Sequence, residues 1–408
     1  MDLFKRLRCS PRLVSAGLGT LALLGAAAAP AAAAQPDHRR PSSSIALSWG
    51  TFADAHGLAG TKLSPFPVRV PGRVAEVGSS NSTVYALLTD GSLYAWGIGT
   101  SGQLGNGSTS NSLQTAVRVR FPAGVRIASV PDDVMPYDEG FAIDTTGHIW
   151  GWGTNPYGDA FCLGNTQAHL TPVRLRFSDV TEAAGAFGHA LYESHGRVYG
   201  CGANLFGELG DGTRTSSSTP VRVKLPAHAR VARLVAAWTN SGALLTDGKY
   251  YNWGYNAQGQ LGQGIIGGYA TVPLRVRLPR PVKVVSQGGS LPNNGQTLAL
   301  LTNGELYAWG NGTDYQLGTG STTSQPLPVR ISQPRGVQYR IVATGGSTSY
   351  AVSTTGDVYA WGGNVFGQVG NGTRRAAITP VRVARGVRGI SSTNFDVVAN
   401  LSDRWGRW

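Results

Sequence analysis

Apolar and polar residues alternate along most of this chain in short runs bounded by Gly, Pro, Asp or Asn, a pattern that predicts strands joined by tight turns and no helices. In the first complete period the runs fall at 74–77, 84–88, 93–96 and 117–121. The middle two read as a hairpin, LLTDGSLYAWG, turning at Asp90-Gly91. The same place holds Asp247-Gly248, Asn303-Gly304, Thr146-Gly147, His195-Gly196 and Thr355-Gly356. Asp-Gly and Asn-Gly between alternating apolar runs are strong short-range hairpin signals.

The third run leads into a motif, W/C-G-x4-G-Q/E-L/V-G, at Trp96, Cys201, Trp253 and Trp361, with looser copies at Trp309, Trp152 and Trp49. The seven positions are 47, 56, 49, 52, 56 and 52 residues apart, a period that belongs to repeat architectures. A Trp closing an apolar run has a large area to bury, and the glycines behind it permit positive φ and close backbone approach. Packing and turning is the expected role. A phosphate cradle would need a helix after the glycines, where this chain has Ser/Thr/Gly-rich loop and then another strand pattern.

The fourth run has its own signature, PVRV or a close variant, which places Arg69, Arg118, Arg174, Arg222, Arg275, Arg330 and Arg382 at equivalent positions. Arg120, Arg176, Lys224 and Arg277 add a second basic residue in four copies. An opening Pro cannot serve a central ladder, so this strand is expected at the outer edge of its sheet. The plain reading of the arginines is protection of that edge; the sharper one is a basic belt that collects an anionic polymer.

Seven units of four strands predict an all-β, seven-bladed β-propeller. The phase of the ends predicts closure: a third strand at 45–49 and a fourth at 68–70 would share the last blade with a first strand at 387–390 and a second at 397–401. The domain is expected to span 45–408, after a polar linker at 35–44.

Residues 1–34 read as a signal peptide, with Lys5, Arg6, Arg8 and Arg12 before an apolar Leu/Ala stretch and a small-residue cleavage site at Ala31–Ala34. The expected location is secreted or cell-wall associated, with no transmembrane segment after cleavage. Cleavage would leave 31 Lys+Arg against 21 Asp+Glu, so the protein stays basic. Cys162 and Cys201 would then meet an oxidising compartment and can form one disulfide if their Cα atoms lie close enough.

The WG-x4-G-Q-L-G unit, the P-V-x-V strand and the T-D-G-x-x-Y-A-W-G hairpin resemble the repeats of the regulator of chromosome condensation family, over nearly all of 45–402. The resemblance implies the propeller fold. Family functions differ: a nuclear exchange factor that also binds chromatin, a plant light receptor, and secreted propellers that inhibit β-lactamases. No exchange wedge maps onto this sequence, and most Trp residues sit at the repeat position rather than in the one-face cluster that light reception needs.

No nucleophile elbow appears, no His pair has metal-ligand spacing, and the recurring carboxylates fall in hairpin turns, so neither a metal nor a cofactor is expected. Binding should lie where the copies differ most, in the loops between first and second strands, which alternation puts on one face with the third-to-fourth loops. These loops offer Tyr137, His189, Trp238, Asn293, Asn294, Tyr350 and Phe395. PDDVMPYDEG at 131–140 adds Asp132, Asp133, Asp138 and Glu139, as a solvated insertion, a contact for a basic partner anchored by Tyr137, or a cation site. The expectation is an exported, monomeric, non-catalytic scaffold that binds a macromolecule: a secreted or surface protein through these loops, as scaffold or inhibitor, or a cell-wall polymer through the arginines. Nucleic acid is not expected, and an enzyme with a composite site between blades is the third reading.

Overall fold

A computed structural model describes residues 44–54, 57–80, 82–130, 138–155, 161–289, 294–393 and 396–401. Among these there are 28 strands and no helix, in seven four-stranded antiparallel sheets. Blade 1 shows the pattern: Val74–Ser80, Thr83–Leu88, Leu93–Gly97 and Ser112–Arg118, hydrogen-bonded in that order. Blades 2 to 6 repeat it at 127–174, 180–222, 231–275, 282–330 and 339–384. In blade 7, Val387–Ser392 and Asp396–Leu401 from the end of the chain pair with Ser44–Asp54 and Gly57–Val70 from its beginning. The ring is therefore closed by hydrogen bonds between residues more than three hundred positions apart, which removes two open sheet edges.

Strand boundaries depart from expectation in one consistent way. The fourth strand of blade 1 starts at Ser112 and ends at Arg118, because Gly97 pairs with Ser112 across a register shift and draws part of the Ser/Thr-rich segment into the ladder. The first two strands of the chain are likewise longer than 45–49 and 68–70.

Three sets of contacts join neighbouring blades. At one face, the hairpin-tip carbonyls of Gly91, Gly147, Gly248 and Gly356 accept the first amide of the following blade, as in Ile127 N to Gly91 O at 2.9 Å. At the outer rim, the glycine-rich motif packs on the fourth strand of the next blade: a Cβ on Gly207 (φ 88°) would lie 2.6 Å from Thr271 Cα. Between these, the repeat Trp of one blade donates its indole N–H to the backbone carbonyl at the motif's Gln or Glu position in the blade before. The pairs are Trp152 to Gln103 (2.8 Å), Trp253 to Glu208 (2.7 Å), Trp309 to Gln260 (3.1 Å), Trp361 to Gln316 (2.9 Å) and Trp49 to Gln368 (2.9 Å). All five rings are fully buried, so in these blades the motif's Trp is both the largest piece of the core and its staple; Trp96 is buried as deeply but its indole N–H makes no such bond.

Blade 3 has Cys201 where the others have Trp, and blade 2 has Cys162 where blades 1 and 3 to 6 have Gln or Glu. The two are disulfide-bonded with Cα atoms 5.6 Å apart. A covalent link thus occupies the position of the indole hydrogen bond.

Candidate functional site

In blade 1, Ser80 pairs with Thr83 and Thr83 with Gly97, so the first-to-second loop and the third-to-fourth loop emerge together, opposite the hairpin tips. The expected binding residues belong to the first-to-second loops of this face. Asp132, Asp133, Tyr137, Asn293 and Phe395 lie outside the described residues. Asp138 sits at φ 65° and is half-buried, accepting from Gln103 Nε2 (3.2 Å) and Ser101 Oγ (3.4 Å) of blade 1, so it ties two blades together. Asn294 is half-buried beside its loop.

Three of the expected residues do not face a partner. Glu139 is buried in the strand Glu139–Asp144 rather than in a loop. His189 opens the strand His189–Ser194 and is fully buried, with Nε2 2.9 Å from Ser241 Oγ of blade 4; desolvation pushes its pKa down to about 4, leaving it neutral. Tyr350 is fully buried in Thr348–Ser353 and donates its hydroxyl to Gln368 O at 2.7 Å. The common reason is that the second strands begin earlier than the loop pattern implied, so the last residues of the expected loops are core residues.

Trp238 is the aromatic that does reach the loop face. It is half-buried and stacks on Phe187 of the preceding blade, with ring centroids 4.1 Å apart and planes 6° from parallel. Two further pairs cross the same blade 3–blade 4 junction. Phe206 lies 4.2 Å from Tyr255, and the Arg214 guanidinium sits 4.5 Å from the centre of the Tyr269 ring. Arg214 is held there by donating Nε to Leu205 O at 2.6 Å. Leu205, Ile265 and Ile266 beside them are 61%, 63% and 59% exposed, and Leu327 of blade 5 continues the apolar rim.

The register makes the asymmetry clear. Tyr255 and Tyr269 are cross-strand partners. Counting one residue from the neighbouring glycine pair in other blades gives Ile98 with Asn111, Ala203 with Ser216, Asn311 with Ser324 and Gly363 with Ala376. Among these blades only blade 4 places two aromatic rings at this site. Sequence reading missed Phe187, Phe206, Arg214, Tyr255 and Tyr269; aligning the repeats column by column would have shown the last two standing where other copies carry small or polar residues.

The seven arginines, Arg69 to Arg382, are all exposed on fourth strands at the outer edges of their sheets, as expected. Six lie opposite an aromatic on the third strand: Tyr94, Trp150, Tyr199, Tyr251, Tyr307 and Tyr359. Arg330 is also 3.2 Å from Glu305. Among the described residues no group of three or more His, Cys, Asp or Glu is placed to hold a metal ion.

Comparison with known proteins agrees with this architecture. The family model for the regulator of chromosome condensation (RCC1) repeat matches residues 90–131, 195–244, 247–291, 303–352 and 355–396, together more than half of the chain. The chain is 29% identical over 287 residues to the ultraviolet-B receptor UVR8 of Arabidopsis thaliana, covering 69% of this chain and 63% of the receptor. It is 29% identical over 382 residues to the human E3 ubiquitin-protein ligase HERC2, covering 88% of this chain and 8% of the ligase. The chain therefore spans less than two thirds of the length of either relative. Among solved structures, Prp20p of Saccharomyces cerevisiae superposes with a TM-score of 0.73 at 20% identity, covering 88% of this chain and 93% of that one. The chain belongs to the regulator of chromosome condensation repeat family.

Proposed function

We propose, starting from membership of this family, that the protein is an exported, non-catalytic scaffold that docks a secreted or surface protein, as an inhibitor or an adaptor, on the loop face over the junction of blades 3 and 4. The observation that carries this reading is the set of three inter-blade pairs at one junction, Phe187–Trp238, Phe206–Tyr255 and Arg214–Tyr269. Preordered aromatic rings with an Arg and a fringe of exposed aliphatics have the composition of the energetic centre of protein interfaces. Relatives on the same ring bear unlike roles, from an ultraviolet-B receptor to a ubiquitin ligase, and Prp20p binds Gsp1p and histones. That variety fits a fold on which local surface sets function. Export is supported by the basic and apolar residues of 1–34 and by the Cys162–Cys201 disulfide, a bond that persists in oxidising compartments.

The second reading is a binder of anionic wall polymer, favoured by the exposure of all seven edge-strand arginines. Salt separates the two, because screening weakens exposed charge contacts and leaves buried aromatic ones. A partner recovered from the secreted fraction is measured by surface plasmon resonance against wild type, Trp238→Ala with Tyr255→Ala, and Arg118→Gln with Arg222→Gln. The docking reading expects the aromatic variant to dissociate at least about tenfold faster at all salt concentrations. Loss confined to the arginine variant, and abolished by salt, supports the polymer reading instead.

A further inference from the structure

The first strands of the seven blades line the axis of the ring. Toward the loop face they close on one another: Ser79 and Ser391 Oγ are 2.6 Å apart, Ser286 and Thr344 Oγ atoms are 2.9 Å apart, and a Cβ on Gly288 would lie 2.3 Å from the Gly345 carbonyl oxygen. Toward the hairpin face they surround a cavity of about 440 Å³, a volume within the range of small-molecule sites.

Every first strand carries a register irregularity directly after its opening residue, as between Val74 and Glu76 or Tyr339 and Ile341, and this leaves one extra residue outside the ladder. In blades 1 to 4 that residue is Ala75, Ala128, Thr181 and Ala232; in blades 5 to 7 it is Lys283, Arg340 and Arg388. Four blades make the bulge without a charge, so the fold does not require the three consecutive cations. Arg340 and Arg388 line the cavity together with Arg233 of blade 4, which lies one position past its bulge; Arg340 is half-buried with Nη2 donated to Val387 O at 2.8 Å, and Arg388 is exposed. Desolvation and the nearby charge of Arg388 both work against its protonated form. Of the carboxylates on the wall, Glu76 and Glu182 each accept a backbone amide of the following blade, Val130 N at 3.1 Å and Leu234 N at 3.4 Å, and so have a part in joining blades.

We propose that this axial cavity binds a small organic polyanion, a di- or tricarboxylate or a phosphate ester, with its oxyanions on Arg340 and Arg388 and its body against the apolar wall of Ile341, Val342 and Ile390. Guanidinium groups match oxyanions in bidentate geometry, and an anion between two of them relieves their mutual repulsion. The site lies on the hairpin half of the ring and stands or falls independently of docking on the loop face.

Citrate serves as the probe, with isothermal titration calorimetry on the full chain at low ionic strength. Wild type should bind it, Arg340→Gln with Arg388→Gln should weaken binding by at least about tenfold, and Arg222→Gln on the outer edge should bind as wild type. Glu182→Gln, which removes a negative charge from the wall, should bind more tightly. Absence of binding to wild type overturns the proposal, as does equal binding by the double variant, which would put citrate on the outer arginines. Should circular dichroism show that the double variant does not fold, Glu182→Gln decides: tighter binding supports the site and unchanged affinity rejects it. Inorganic phosphate in place of citrate then shows whether the oxyanion alone suffices.

Discussion

The joints on either side of blade 3 and those from blade 4 onward hold the same geometry with different chemistry. From blade 4 to blade 7 each joint is a buried indole N–H donated to the carbonyl of Gln260, Gln316 or Gln368, while the side-chain Oε1 of that Gln accepts the amide two residues earlier at 2.7–2.9 Å. Between blades 2 and 3 a disulfide takes the place of the staple. Between blades 3 and 4 the staple is kept, but the side chain at the Gln position is Glu208, with Phe206 N at 2.8 Å from its Oε2. Both joints of blade 3 thus depart from the regular one, and blade 3 also borders the junction where aromatic rings line the loop face. A repeated scaffold tolerates different chemistry at a joint provided the distance is held, and the tolerated changes mark where the ring has been specialised.

The regular joints are expected to be the costliest to break. Trp309→Ala removes a fully buried ring and its bond to Gln260 O, and should destabilise the propeller by about 3–5 kcal/mol through lost burial and the cavity left behind. Urea denaturation followed by fluorescence measures it. A loss under about 1 kcal/mol would mean that the joint is held by the outer-rim and hairpin contacts and that the staple is incidental.

The disulfide joint should come next. Cys162→Ser with Cys201→Ser opens a cross-link between residues 39 apart in sequence and is expected to cost about 2–4 kcal/mol. A reducing agent should lower the melting temperature of wild type by a similar amount and leave the double variant unmoved. If reduction has no effect on wild type, the two thiols merely fill the space of the missing staple and the joint is not special.

The ring, its seven units and the shared last blade were legible in the sequence because each rests on local signals repeated many times: Asp-Gly turns, alternating runs and a Trp at fixed spacing. The edge position of the arginines was legible for the same reason, from a recurring Pro that cannot serve a central ladder, although the strands begin before that Pro. The binding face was read less well. His189 and Tyr350 were expected in loops because polar and aromatic residues after a strand look like loop, yet burial between blades is a long-range property that no local pattern reports. Phe206 and Tyr255 are separated by 49 residues and Phe187 and Trp238 by 51, so their pairing exists only once the ring brings neighbouring blades together. The pairing of Cys162 with Cys201 was open in sequence and follows from the alignment of Gln and Trp positions across a joint.

The smallest expected effect is also the most conditional on pH. Glu208 is largely buried, and desolvation raises its pKa from 4.5 to about 7; its backbone amide bonds and the charge of Arg214 oppose that shift without cancelling it. The folded state therefore holds the proton more tightly than the unfolded chain does. The resulting stabilisation is complete below about pH 4.5 and is lost as pH rises through about 7, where a buried carboxylate must ionise. Glu208→Gln restores the residue used in blades 4, 5 and 6, can accept from Phe206 N through Oε1, and carries no charge to desolvate. It should match wild type at pH 4.5 and exceed it at pH 8 by on the order of 2 kcal/mol, so that the stability of the variant is flatter with pH. Chemical denaturation at the two values tests this. Equal stability of variant and wild type at both would mean that Arg214 keeps Glu208 comfortably ionised in the folded state, and the joint between blades 3 and 4 would then differ from the regular joints in its surface alone.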